Sequence, residues 1–249
     1  MELTAHKVLT NYQKIGHGPV LVLLHGWGCD WQIFSPVIAG LSEQYQLIIP
    51  DLPAFGQSHS PTEVWDSAEY VVWLKDFLAQ TVDTKPFSLL GHSFGGKLAA
   101  MLAASHFPAG LTQIILCSAS GLPAPLSPTQ QLQQRLLTLI PRVLKAQLST
   151  QFRERLLKMT HSSTDYMYAN DMQKKILQRV IHENISQELE KIVTPTLLIW
   201  GDVDADTPLV QAKRFSTLIK GSELVVFNGV GHFPFIEQPT RFNSVLRAL

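Results

Sequence analysis

The amino-acid sequence predicts an α/β fold, with a mostly parallel central sheet flanked by helices. Three observations carry that expectation. First, six short runs are apolar at nearly every position: Val20-Leu21-Val22-Leu23-Leu24, Leu47-Ile48-Ile49, Phe87-Ser88-Leu89-Leu90, Ile114-Ile115-Leu116, Thr196-Leu197-Leu198-Ile199-Trp200 and Leu224-Val225-Val226-Phe227. Strands covered on both faces read this way, and they belong mostly to parallel sheets with helices on either side. Second, segments with helical spacing lie between the runs, at about 31–44, 67–81, 94–106, 209–219 and 234–249. Buried strands alternating with helices of that length make a wound sheet. Third, Pro208 stands just before the fourth of these helices and Pro234 at the start of the fifth, where a missing N–H costs little. Residues 8–15, ahead of the first run, read only as a short amphipathic lead.

The alternation breaks once, between about Gly121 and Gln187. This stretch opens on the turn-rich Gly121-Leu122-Pro123-Ala124-Pro125-Leu126-Ser127-Pro128 and continues as helical material. Leu132, Leu136, Ile140, Val143 and Leu144 share one helical face, Met172, Ile176 and Val180 another, and Pro141 is expected to kink the first helix. A helical insertion between two strands cannot continue the sheet, so it is expected over the sheet's C-terminal edge, where open α/β folds bind ligands. The predicted organisation is a core domain of residues 1–119 and 186–249 with an inserted all-helical cap at 120–185. From Ser120 to Ile185 the chain carries nine Lys or Arg against four Asp or Glu, net +5, which leaves −5 for the rest. A solvated helical face is the plain reading of that charge, and a docking surface for something acidic the sharper one.

At 249 residues the chain can bury a sizeable core without staples. With 20 basic and 20 acidic residues, 45% hydrophobic and 16% charged, nothing global points to nucleic acid or to an anionic membrane. Cys29 and Cys117 lack a CxxC spacing, which argues against a disulfide framework and a structural zinc site, and so for a reducing compartment. The first residues, Met1 to Lys7, lack a signal-peptide profile, and no apolar run approaches the roughly 20 residues needed to span a bilayer. A cytoplasmic protein with no membrane partner is the expectation.

The chemistry is concentrated in Leu89-Leu90-Gly91-His92-Ser93-Phe94-Gly95-Gly96. A serine between glycines, after a buried strand and before a helix, sits on a turn so tight that its hydroxyl projects above the sheet edge, which makes Ser93 the candidate nucleophile. A base is expected on the loop after the last strand, and of nine histidines only His232 stands there, in Asn228-Gly229-Val230-Gly231-His232-Phe233-Pro234. His25 and His92 abut the other motifs and are expected to be turned into backbone packing. The orienting acid is expected in Gly201-Asp202-Val203-Asp204-Ala205-Asp206-Thr207-Pro208; Asp204 is preferred, with Asp202 and Asp206 left open. Oxyanion donors are expected from the Phe94 N–H, at the positive end of a helix, and from the Trp27 N–H in His25-Gly26-Trp27-Gly28. There is no G-x-G-x-x-G and no GK[ST], so no nucleotide cofactor is expected, and with no metal-ligand spacing at the cysteines no metal is assigned to the site. Trp31, Leu122, Leu136, Leu139, Ile140 and Phe233, together with Trp27 and Phe94, are the candidate pocket lining and favour an acyl or aromatic group over a sugar.

Taken with Asp51-Leu52-Pro53-Ala54-Phe55-Gly56-Gln57-Ser58, Gly201-x-x-Asp204-x-x-x-Pro208 and Gly231-His232-Phe233-Pro234-Phe235-Ile236-Glu237, these motifs in the order Ser, Asp, His resemble the α/β-hydrolase superfamily. The resemblance covers nearly the whole chain outside the cap. Ala54 departs from it, since family members usually carry glycine there. A serine nucleophile separates the chain from the haloalkane dehalogenases and epoxide hydrolases, so Tyr166 and Tyr168 read as pocket or packing residues. The resemblance implies a serine hydrolase that cleaves a small-molecule carboxylic ester through an acyl-enzyme, without cofactor. It also admits a carbon–carbon hydrolase of ring-cleavage products, a perhydrolase, or a carrier-protein methyl esterase, for which the basic cap would meet an acidic carrier protein. A receptor-like module that captures a ligand with little turnover is the alternative from another class.

Overall fold

A computed structural model describes residues 1–82, 85–105, 110–123 and 169–249. Eight strands form one sheet in the order β1-β2-β4-β3-β5-β6-β7-β8. They are β1 (Glu2–Ala5), β2 (Val8–Ile15), β3 (Val20–Leu24), β4 (Gln46–Pro50), β5 (Phe87–His92), β6 (Leu111–Cys117), β7 (Thr196–Gly201) and β8 (Glu223–Phe227). Pairing is antiparallel between β1 and β2 and between β2 and β4, and parallel everywhere else. The six apolar runs are the six parallel strands. The lead at 8–15 is a seventh strand, joined to β1 by a turn in which His6 and Lys7 take φ of 42° and 66°.

The helices are α1 (Ser35–Leu41, after a 3-10 turn at Trp31–Phe34), α2 (Ser67–Thr81), α3 (Phe94–Ala104), α4 (Asp171–Val180), α5 (Ser186–Leu189), α6 (Leu209–Leu218), α7 (Pro234–Glu237) and α8 (Pro239–Arg247). Local signals start them. Asp66 accepts from the Ala68 and Glu69 N–H groups while Glu69 reaches back to the Asp66 N–H, and Asn170 and Gln173 repeat that reciprocal cap on α4. The expected last helix is broken at Gln238, before Pro239, because a residue preceding proline is pushed out of the helical region.

The pleat divides the core. Along β3, Val20, Val22 and Leu24 face a cluster that holds Tyr70, Trp73, Phe77, Leu98 and Phe215, while Leu21 and Leu23 face one that holds Phe34, Val37, Phe235 and Phe242. Every β3 residue is therefore buried, which is why the run is apolar throughout.

The described residues belong to a compact unit of 1–123 and 170–249, apart from Ala169, which falls with 124–168 in a second unit. Residues 170–185, placed with the insertion on sequence grounds, pack within the first unit: Ile176, Val180 and Ile185 are buried in its larger cluster. Leu132, Leu136, Leu139, Ile140, Pro141, Val143, Leu144, Tyr166 and Tyr168 lie outside the described residues. Among those described, no helix is long and apolar enough to cross a membrane.

Sheet order positions the site. From β3 the chain turns one way to β4, and α2 then carries it back past β3 to β5. The connections leaving the C-terminal ends of β3 and β5 thus run to opposite sides of the sheet, the switch point at which open α/β sheets bind ligands, and these are the loops that carry Trp27 and Ser93.

Candidate active site

Ser93 sits between β5 and α3 with φ 51° and ψ −111°, a conformation that L residues adopt only when the surroundings impose it. The constraint is visible in the packing. A Cβ on Gly95 would lie 2.3 Å from the Leu24 carbonyl oxygen and 2.6 Å from that of His25, so only glycine lets the first turn of α3 approach β3 this closely. One on Gly26 would meet His92 Nδ1 at 2.8 Å and Ser93 Cβ at 3.2 Å, which places the Trp27 loop directly against the serine turn. The Trp27 and Phe94 rings meet edge to face at 5.6 Å, and Phe94 meets Tyr70 the same way at 5.2 Å. Side-chain packing thereby fixes the backbone of both candidate oxyanion donors.

Of the three acid-loop carboxylates, Asp204 reaches the histidine. Its side chain is 0% exposed, and His232 Nδ1 lies 2.9 Å from Oδ2 and 3.1 Å from Oδ1. Oδ1 also accepts the N–H groups of Asp206 and Thr207 at 2.9 and 2.8 Å. Burial opposes ionisation of this carboxyl, but the His232 hydrogen bond and charge, followed by the Thr207 N–H, hold it below the usual carboxylate range. Asp202 instead accepts the Gly229 N–H at 2.7 Å, tying the acid loop to the histidine loop. Asp204, Asp206 and His232 each offer a ligand atom within 4.8 Å of the others, but a cation there competes with the Asp204–His232 hydrogen bond itself.

The two remaining motif histidines serve the backbone. His25 Nε2 accepts the Leu52 N–H at 2.9 Å, so its proton is on Nδ1, which donates to the Gly26 carbonyl oxygen at 2.8 Å. His92 Nε2 lies 2.9 Å from the His232 carbonyl oxygen and must donate to it. Burial first, then the His232 charge, push the His92 pKa down to about 3. The ring therefore stays neutral while it clamps the histidine loop.

That shift predicts a pH dependence. Between pH 3 and about 6.5 the unfolded chain protonates His92 and the folded chain does not, so stability is fully present above about 6.5 and falls on acidification by up to about 1.4 kcal/mol per pH unit. The Asp204 pKa is lowered too, here because its charged form is favoured, so its contribution is present above the ordinary carboxylate value of about 3.9 and is lost only below it. Burial lowers the His25 pKa as well, so both rings contribute to the slope. Urea unfolding from pH 4 to 6 should show it, and His92→Asn should make it shallower while leaving the His25 share, whereas an unchanged slope in that variant means His92 contributes none of the loss.

Several groups that hold the candidates were quoted within motifs but given no role from sequence. Glu237 accepts the N–H of Gly231 at 2.9 Å and of Phe233 at 3.2 Å, on either side of His232. Asp51, fully buried, accepts the Trp31 and Gln57 N–H groups at 2.8 and 2.9 Å and the Asn11 amide at 2.8 Å. The acid standing inside each of these motifs was the available signal. Ala54, where glycine is usual, has φ 76°, so the turn keeps its left-handed shape at a steric cost. Among the candidate lining residues, Trp31 and Phe233 pack against the apolar cluster on one face of the sheet and Leu122 on the other, whereas Leu136, Leu139 and Ile140 are outside the described residues.

Residues 21–245 match the model of a family described as the alpha/beta hydrolase family. The AB hydrolase superfamily protein YisY of Bacillus subtilis is 30% identical, with 98% of this chain and 96% of that protein aligned. A pimeloyl-[acyl-carrier protein] methyl ester esterase of Aeromonas hydrophila is 28% identical over 94% of this chain and 96% of its own length. Among solved structures, a variant of the meta-cleavage product hydrolase CumD superposes with TM-score 0.72 at 25% identity, covering 99% of this chain and 96% of that one. An esterase of Exiguobacterium antarcticum shares the fold with TM-score 0.78 at 22% identity, over 99% and 97% of the two chains. Sheet order, the serine turn and the family match converge: the chain belongs to the alpha/beta hydrolase family and is a hydrolase.

Proposed function

We propose that this hydrolase cleaves a carboxylic ester through an acyl-enzyme, with Ser93 as nucleophile, His232 as general base and Asp204 as the acid that orients it. The observation that carries the reading is the buried Asp204 carboxylate hydrogen-bonded to His232 Nδ1, beside a loop clamped to the residue preceding Ser93. Ser93 Oγ bonds to the carbonyl carbon as its proton passes to His232 Nε2, and the carbonyl π pair becomes an oxyanion that the Trp27 and Phe94 N–H groups receive. Collapse expels the alcohol, which takes the proton from His232. A water, deprotonated by the same imidazole, then frees the acid and restores Ser93. Each oxyanion donor is worth about 3 kcal/mol in such a transition state.

A fluorophosphonate probe should label the enzyme at Ser93, read by peptide mapping, with stoichiometry near one. Label on another residue, or none under conditions in which the protein is folded, would defeat the assignment.

The substrate class inferred is a small ester, and its finer form is an ester delivered on an acidic carrier protein. The net charge of +5 across 120–185 and the esterase relatives named for an acyl-carrier-protein ester support it. Turnover of a carrier-linked methyl ester at sub-saturating concentration should fall steeply between 20 and 300 mM salt, while a free ester stays within about twofold, because screening acts on encounter between opposite charges. Equal salt responses would remove the carrier protein from the proposal. Likeness to the meta-cleavage product hydrolase CumD supports a second reading, cleavage of a carbon–carbon bond in a ring-cleavage product on the same site, and a panel pairing a ring-cleavage product with simple esters separates the two.

A further inference from the structure

The acid loop carries a hydroxyl that the reaction above does not use. Thr207, 5% exposed, places Oγ1 2.9 Å from Asp204 Oδ2 and 3.1 Å from the Ser118 carbonyl oxygen. Oδ2 is also the oxygen closest to His232 Nδ1, and Oγ1 itself lies 3.5 Å from that nitrogen. Oδ1 is already fixed by two backbone N–H groups, so the placement of Oδ2, and with it the direction of the hydrogen bond that aims the imidazole, is set by Oγ1.

A second observation points to the same place. Ser118, fully buried at the end of β6, has φ 46°, a left-handed conformation that is costly for serine. Its N–H donates to the Ile199 carbonyl oxygen of β7 at 2.9 Å, and its own carbonyl faces Thr207 Oγ1. Strain of this kind persists where the surroundings hold it for a purpose. The purpose available here is to give the Thr207 hydroxyl a second, rigid partner on a neighbouring strand. That hydroxyl has one proton and two acceptors. It can donate to either one, and the two contacts together hold Oγ1 between the acid loop and the end of β6.

We propose that Thr207 is a positioning residue that sets the Asp204–His232 geometry through its hydroxyl, anchored by the strained Ser118 carbonyl. The inference rests on the Ser93–His232–Asp204 reading. Its test compares Thr207→Val, Thr207→Ala and Thr207→Ser with Asp204→Asn, on a short p-nitrophenyl ester, with melting temperatures measured beside the kinetics. Expected are a roughly tenfold or greater loss of kcat at unchanged KM in Thr207→Val and Thr207→Ala, recovery to within about twofold in Thr207→Ser, and no further loss when Thr207→Ala is added to Asp204→Asn, since residues acting as a unit are not additive. Should Thr207→Val fail to fold, Thr207→Ala with Thr207→Ser carries the comparison. If Asp204→Asn collapses activity while Thr207→Ala keeps kcat within twofold, or Thr207→Ala and Thr207→Ser lose equally, the role of Thr207 is overturned and the triad stands. If Asp204→Asn is itself active, the triad reading falls and this inference with it.

Discussion

Replacing Ser93 by alanine is expected to lower kcat toward a short p-nitrophenyl ester by about 10⁴-fold or more, with little change in KM and none in stability. The activity loss follows because no bond to the carbonyl carbon can form, while the groups that hold the substrate remain. Stability is spared because alanine tolerates φ 51° and ψ −111° about as poorly as serine, so the strain of the turn is unchanged. Glycine separates the two effects. Ser93→Gly is equally inactive but should unfold at higher urea concentration, by about 1 kcal/mol, since the cost of the turn for an L residue exceeds the entropy glycine loses on folding. A variant that is both inactive and more stable marks a site where strain was retained for chemistry. Residual turnover above 1% of wild type in Ser93→Ala would mean that another group attacks the ester.

What could be read from sequence divides along a physical line. The six parallel strands were legible because each is buried on both faces, as Val20 to Leu24 are, and the apolar run is the direct imprint of that burial. β2 was not, because it pairs antiparallel at the margin and keeps Gln13, Lys14 and Ile15 partly or fully exposed; its turn with β1 also uses His6 and Lys7 at positive φ where glycine or asparagine would have signalled it. At the candidate site, the positions of Ser93 on a strand-to-helix turn and of His232 on the loop after the last strand were legible from local turn chemistry. Among Asp202, Asp204 and Asp206 the motif favoured Asp204 but left the other two open, since the choice depends on which carboxylate the strand end aims at the histidine loop. Asp204 meets His232, Asp202 meets the Gly229 N–H and Asp206 stays exposed. Partners far apart in sequence leave no local trace at all. Thr207 finds the Ser118 carbonyl, and Lys97 finds Glu183, only when the sheet brings them together.

Lys97 carries the largest expected effect on stability. One turn into α3, it has a side chain 3% exposed; Nζ donates to the Val180 carbonyl oxygen at 2.7 Å and to Glu183 Oε2 at 2.8 Å, and it lies 5.3 Å from the centre of the Phe94 ring. Burial lowers the Lys97 pKa, and the Glu183 charge and hydrogen bond oppose that. Glu183 is 26% exposed and accepts the Ser67 N–H at 3.1 Å as well as the Ser67 hydroxyl. The pair therefore joins the starts of α2 and α3 to the segment after α4, next to the point where the Ile185 N–H bonds the Gly121 carbonyl oxygen at 2.9 Å. Removing the two partners is not equivalent. Glu183→Leu strands a buried ammonium and should cost about 3–5 kcal/mol, whereas Lys97→Met leaves a carboxylate that keeps Ser67 and some water and should cost about half as much. Since two apolar groups can replace a buried ion pair at little net cost, the double variant should regain most of the Glu183→Leu loss. Urea midpoints at pH 7.5 for the four proteins give the coupling energy directly. A double variant no more stable than Glu183→Leu would show that the loss comes from packing around Phe94 and Val180 and not from an unpaired charge.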